Sequence, residues 1–167
     1  MTVAYIGLGS NMGDREANLN NALDMLSQKV LIAEISPFYL SEPEIFKDQP
    51  DFLNAVACID TDRTAQELLK LLNGVEQRMG RERTFSGAPR PIDLDLIFFG
   101  SDIINQPGLE VPHPRAHKRA FVLVPMADVA PDFIHPVLHK TIGELLAGLK
   151  PGLRIEKWES IKGGGKD

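Results

Sequence analysis

Apolar and small residues fill the chain from Thr2 to Leu8, a run that predicts a strand. Leu19, Leu23, Leu26 and Val30 then recur at helical spacing, and Asp14 stands where a helix cap belongs. Val30 to Tyr39 is rich in β-formers and predicts a second strand. From Leu40 to Asp51 the run L-S-E-P-E-I-F-K-D-Q-P-D has no periodicity and predicts a long loop, a type that is often functional. Phe52 to Ile59 predicts a third strand, with Phe52, Asn54 and Val56 on one face and Leu53, Ala55, Ala57 and Ile59 on the other. Thr64 to Glu67 is a capping box, and Leu68, Leu71, Leu72, Val75 and Met79 form the apolar stripe of the helix it opens, with Gly80 as its stop. Ile92 to Phe99 is apolar except for Asp93 and Asp95.

The resulting order is β-α-β-β-α-β. It predicts an α+β, ferredoxin-like fold: an antiparallel sheet with both helices on one face. Beyond it, Ile103 and Ile104 predict a short strand, Ala120 to Val129 and Thr141 to Leu149 predict helices, and Arg154 to Trp158 predicts a last strand or a packed tail. We expect one domain over residues 1–160 and a frayed tail over 161–167. A ferredoxin-like core hosts many activities, so the fold alone decides nothing. Gly7-Leu8-Gly9-Ser10-Asn11 reads as a strand-ending turn whose glycines allow positive φ. No G-K-[ST] follows it, so it is not a Walker A loop.

Composition narrows the classes. The formal net charge is −5 over 167 residues, which disfavours general binding to nucleic acid or to an anionic membrane. The single cysteine, Cys58, excludes an internal disulfide and a cysteine-based zinc cluster. The sequence has no secretory h-region and no apolar stretch of membrane-spanning length, which makes the cytoplasm the expected location.

The chemistry concentrates between Arg81 and Phe99, R-E-R-T-F-S-G-A-P-R-P-I-D-L-D-L-I-F-F. Alternation along a strand places Asp93 and Asp95 on one face, roughly 6–7 Å apart at the backbone. Two neighbouring carboxylates repel each other and resist burial, and a hard cation relieves both problems. Magnesium completes its shell with waters and substrate phosphates, for which Arg81, Arg83 and Arg90 are suitable partners. The competing reading is a solvated edge. Ile97 and Phe99 are expected on the aspartates' face and Leu94, Leu96 and Phe98 on the other, which argues for a partly covered site. Asn54 reads as a satisfied structural amide. Val111 to Phe121, V-P-H-P-R-A-H-K-R-A-F, reads equally as a site or as a solvated basic turn.

Five segments together, V-A-Y-I-G-L-G-S-N, D-Q-P-D-F-L-N, R-x-R…P-R-P-I-D-L-D-L-I-F-F-G, V-P-H-P and R-A-F-V-L-V-P, resemble the 6-hydroxymethyl-7,8-dihydropterin pyrophosphokinase family in order and spacing. The resemblance implies transfer of pyrophosphate from ATP to the hydroxymethyl group of a reduced pterin, in folate biosynthesis. It implies that Asp93 and Asp95 ligate two magnesium ions and that Arg81 and Arg90 reach the phosphates from a closing loop. It implies that Glu76, Arg83, His113 and Arg119 contact ATP. Phe52 and Phe121 would sandwich the pterin, Asn54 would bond its edge, and the strip from Ser41 through Glu42 to Glu44 would read the rest of that edge. A monomer is expected, with ATP and the reduced pterin as its partners. Three features depart from the family pattern: no tryptophan stands near Gly87, the Ser41-Glu42-Pro43-Glu44 strip is acidic, and Gly108 replaces a basic residue. The rival readings are another D-x-D magnesium-dependent nucleotidyltransferase or phosphoesterase, and a non-catalytic ferredoxin-like binding module.

Overall fold

The computed structural model describes residues 1–45, 47–80 and 89–159. Arg81 and Arg83, the expected loop around them and the expected frayed tail lie outside the described residues. The elements are β1 (Thr2–Ser10), α1 (Arg15–Ser27), β2 (Leu31–Ile35), β3 (Tyr39–Ser41), β4 (Phe52–Thr61), α2 (Ala65–Arg78), β5 (Asp93–Phe99), β6 (Ile104–Gln106), β7 (Leu109–Val111), α3 (Ala120–Val129), α4 (Ile142–Ala147) and β8 (Ile155–Lys157). The main sheet runs β5-β1-β4-β3-β8, with β2 also paired to β4, and every pairing is antiparallel. β6 and β7 form a separate hairpin. This is the expected ferredoxin-like core.

Both expected caps form. Asp14 accepts from the Ala17 N–H, and Thr64 and Glu67 close a reciprocal capping box on α2. These side chains satisfy N–H groups that a helix start leaves without partners. α1 and α2 cover the first sheet face. There Leu19, Leu26, Leu68, Leu72 and Val75 bury against Ile6, Leu8, Leu53, Ala55, Ile59, Leu94 and Leu96. Each such burial contributes on the order of 1.5–3 kcal/mol. α3 and α4 lie on the opposite face, where Leu123, Met126 and Ile142 bury against Tyr5, Val56, Ile97 and Phe98. β4 is therefore buried on both sides. Among the described residues, no helix is long and apolar enough to cross a membrane.

Several expectations need correcting. Val30 to Tyr39 is two strands rather than one. Pro37 has no N–H to donate, and the chain turns there while Ser36 takes over the pairing. The Ser36 N–H donates to the Val56 carbonyl, and the Ser36 hydroxyl accepts from the Val56 N–H. Tyr39–Ser41 then pairs with the start of β4, which shortens the expected loop.

Gly7 and Gly9 lie inside β1, and neither has positive φ. Their use is the absence of a side chain, not a turn. Phe98 and Phe99 are exchanged relative to simple alternation: Phe98 joins Ile97 on the second face and Phe99 joins Leu94 and Leu96 on the first. A β-bulge is the cause. Ile6 pairs with Leu96 while Tyr5 pairs with Phe98, so Ile97 is an extra residue in β5 and shifts all that follows.

Candidate active site

The second sheet face is covered by α3 and α4 at one end and holds the polar candidates at the other. Strand register builds this end directly. Asp93 pairs with Gly9, Gly9 with Asn54, and Asn54 with Tyr39, so these four residues form one row across β5, β1, β4 and β3. Asp95, Gly7 and Val56 form the next row. Paired residues project to the same side, so Asp93, Asp95 and Asn54 share a face. Asp93 and Asn54 stand two strands apart, about 10 Å at the backbone.

The two glycines let neighbouring side chains lie directly over β1. A Cβ on Gly9 would come within 3.1 Å of Asn54 Oδ1 and 3.6 Å of Phe52, and one on Gly7 within 3.2 Å of Ile97 Cδ1. The G-L-G pattern at alternate strand positions was the sequence signal for this close approach, and its reading as a turn missed it.

The polar groups are held individually. Asn54 is buried and its Nδ2 donates to the Ser41 hydroxyl at 2.6 Å, which turns its Oδ1 toward Gly9. Glu76, buried in the last turn of α2, accepts from the Leu94 N–H at 2.7 Å. That amide lies between the two aspartates, so a carboxylate out of place against its own helix dipole is anchored to β5 instead. Arg90 stands with Nε 3.5 Å from Asp93 Oδ2 and with its guanidinium over the Phe52 ring, 5.0 Å from the centroid. A cation over an aromatic face is attracted by the ring quadrupole.

The far wall comes from the segment before α3. The His113 N–H donates to the Ile97 carbonyl, which ties this segment to β5. His113 Nδ1 accepts from the Arg115 N–H, which places the ring proton on Nε2. Burial, then the charges of Arg119 and Arg115, push its pKa down to about 4, so the ring is neutral at pH 7. Arg119 pairs with Glu44 at 3.0 Å and lies over Phe121, 5.3 Å from the ring centroid. This pair joins the 42–51 segment to the start of α3. Val111 to Phe121 is thus tied into the molecule through His113, Ala116 and Arg119, while Arg115 and Lys118 are exposed.

The acidic strip from Ser41 to Glu44 divides. Ser41 is buried and bonded to Asn54, and Glu44 faces Arg119. Glu42 instead accepts from the Arg154 N–H at the start of β8, so its carboxylate is turned toward the sheet edge. Asp93, Asp95, Asn54, Ser41, Phe52 and Arg90 are therefore brought together by strand register and direct contact. Glu76 reaches them through β5, and Glu44, His113, Arg119 and Phe121 form the adjoining wall.

Among the described residues, no three His, Cys, Asp or Glu side chains are arranged to hold a metal ion. The donor set on β5 is two half-buried carboxylates paired with glycines of β1. That set fits magnesium, which binds through one or two carboxylates and completes its shell with water and phosphate oxygens.

The 7,8-dihydro-6-hydroxymethylpterin-pyrophosphokinase (HPPK) family model matches residues 5–131. The chain is 38% identical over 144 residues to the 2-amino-4-hydroxy-6-hydroxymethyldihydropteridine pyrophosphokinase of Aquifex aeolicus, covering 86% of this chain and 90% of that protein. It is 39% identical over 153 residues to the folic acid synthesis protein FOL1 of Dictyostelium discoideum, covering 92% of this chain and 23% of that protein. The chain spans about a fifth of the length of FOL1 and of two fungal relatives that bear the same name. A crystal structure of Plasmodium falciparum HPPK-DHPS shares the fold, with a TM-score of 0.73 at 16% identity over 87% of this chain and 44% of that one.

Proposed function

The chain belongs to the 7,8-dihydro-6-hydroxymethylpterin-pyrophosphokinase family, and from that membership we propose that it transfers pyrophosphate from ATP to the hydroxymethyl group of 6-hydroxymethyl-7,8-dihydropterin. The observation that carries the reading is the row Asp93, Gly9, Asn54, with Phe52 at its edge. A carboxylate pair suited to a metal-bound triphosphate and an oriented amide suited to a heteroaromatic edge share one sheet face.

A flat bicyclic ring with a polar rim needs stacking surfaces and in-plane partners. Phe52 and Phe121 supply the surfaces. Asn54 supplies the in-plane partner, its rotamer fixed by Ser41. Backbone groups from Ser41 to Glu44 read the remaining edge. On the other side, Asp93 and Asp95 would hold two magnesium ions, whose charge would neutralise triphosphate oxygens and lower the pKa of the acceptor alcohol. Arg81 and Arg90 contact the phosphates, and Glu76, Arg83, His113 and Arg119 serve the nucleotide side. A neutral His113 donates through Nε2 at physiological pH.

The alcohol oxygen attacks the β-phosphorus. The bond from that phosphorus to the oxygen bridging it to the α-phosphate breaks, AMP leaves with that oxygen, and the alcohol proton passes to water. No covalent intermediate with the protein is needed. The protein positions the two substrates and compensates charge, as in other phosphoryl transfers. We propose a cytoplasmic monomer whose partners are the two small-molecule substrates.

The test is an assay of protein, MgATP and the reduced hydroxymethylpterin. AMP and the pterin diphosphate should form only when all three are present. Release of inorganic pyrophosphate, or formation of ADP, would overturn the reading.

A further inference from the structure

Asn11 follows directly on β1, and its side chain is almost fully buried. Its amide is used at both ends. Oδ1 accepts from the Arg90 N–H at 2.9 Å, while Nδ2 donates to Gln49 Oε1 at 2.8 Å and to the Pro50 carbonyl at 3.3 Å. The Asn11 N–H also donates to the Arg90 carbonyl at 3.1 Å. One residue thus holds the backbone of Arg90 on both sides and reaches across to the segment that leads into Phe52.

We propose that Asn11 is a positioning residue that keeps the triphosphate side and the pterin side of the cleft in register. The inference deepens the proposed function and rests on that reading. Its physical basis is that a planar amide carries an acceptor and a donor in fixed relation. Gln49 and Pro50 immediately precede β4, so their position sets where Phe52 enters the sheet. Arg90 lies between Phe52 and Asp93. Moving either partner by an ångström would misalign the alcohol and the β-phosphorus, and reaction rates are steep in such displacements. A bridge between two segments that carry opposite halves of the site is what a register device requires.

Three variants separate the links. Asn11→Ala removes both. Asn11→Asp keeps the acceptor for the Arg90 N–H and loses the donor to Gln49 and Pro50. Gln49→Leu removes one partner on the pterin side and leaves Asn11 intact. Amide exchange of Arg90, read by NMR, reports the Arg90 link without any turnover. It should accelerate at least tenfold in Asn11→Ala and stay near wild type in Asn11→Asp and Gln49→Leu. Calorimetry and single-turnover rates report the consequence. Asn11→Ala should slow chemistry at saturating substrates by tenfold or more. Binding of a non-hydrolysable MgATP analogue should change less than threefold. Asn11→Asp and Gln49→Leu should mainly weaken pterin binding and recover most of the single-turnover rate.

The inference is overturned if folded Asn11→Ala reacts within twofold of wild type. It is equally overturned if Asn11→Asp and Asn11→Ala lose rate, binding and thermal stability in the same proportion, since that marks a structural role. It is also overturned if Arg90 exchange is unchanged in Asn11→Ala. A wild-type protein that protects the Arg90 amide through Asn11 but forms no AMP would instead overturn the proposed activity and leave the bridge in place.

Discussion

The same three strands, β5, β1 and β4, carry Ile97, Phe98, Tyr5 and Cys58 at one end of the second sheet face and Asp93, Asp95, Gly9 and Asn54 at the other. At the first end, α3 and α4 cover the sheet and large side chains interdigitate: Phe98 meets Tyr5 and Phe133 edge-on or tilted, with ring centroids 6.3 and 4.7 Å away. At the second end, β1 carries glycines where a Cβ would press on Ile97, Asn54 or Phe52. The bulge at Ile97 is the boundary. It lets a strand run from a polar, partly open surface into a packed core without placing Phe99 on the wrong side. The contrast teaches that a sheet face can be assigned to stability or to chemistry strand position by strand position, not element by element.

Substitutions at the two ends should therefore fail differently. The largest effect is expected from Asp95→Ala, which should nearly abolish turnover in a protein that still folds. A folded variant that keeps more than about a tenth of wild-type turnover at saturating magnesium would contradict the metal assignment. Asp93→Ala should lose turnover similarly, and it also removes the Arg90 pair.

Leu123→Ala, in the packed core at the covered end, should do the reverse. A truncated, fully buried leucine costs about 2–5 kcal/mol of unfolding free energy in denaturant titrations. Its kcat and KM should match wild type at temperatures where the variant is folded. Parallel losses of stability and KM would show that the two regions are not separable.

Phe121→Ala should weaken pterin binding by about 1–3 kcal/mol, the value of one stacking face, and leave ATP binding unchanged. Calorimetry that finds both ligands weakened equally would remove Phe121 from the pterin wall.

The smallest effect concerns acid and the covered end. His135 is buried, and its Nδ1 accepts from the Val137 and Leu138 N–H groups. Burial, followed by the charges of His117 and His139, lowers its pKa below the ordinary histidine value. The unfolded chain then binds more protons than the folded one as pH falls through the window below about 6.5. Stability present above that pH is lost on acidification. His135→Gln should flatten the slope of unfolding free energy against pH by up to one proton. An unchanged slope would mean that His135 is not the responsible group.

Much of this was legible in the sequence because helices and strands advertise their periods and caps. The D-x-D pair needed only alternation to be placed on one face. The bulge was not legible, because Ile97 becomes an extra residue only against the spacing of β1. The split of Val30 to Tyr39 turned on Ser36 and Pro37 meeting Val56, a partner supplied by β4. Asn11 was silent for a similar reason: its partners lie 38 and 79 positions along the chain, beyond the reach of any local pattern. Gly7 and Gly9 were visible but misread, since a glycine's missing side chain matters only once its neighbours on adjacent strands are known.

The most direct test of the account is the location of the metal-bound nucleotide. Manganese in place of magnesium, added with a non-hydrolysable ATP analogue, broadens the NMR signals of nearby nuclei. The account predicts broadening centred on the amides of Gly7, Gly9, Asp93 and Asp95, with Phe133, His135 and Ile142 at the covered end spared. Broadening centred on His117 and His135, or spread evenly over both ends of the face, would contradict it.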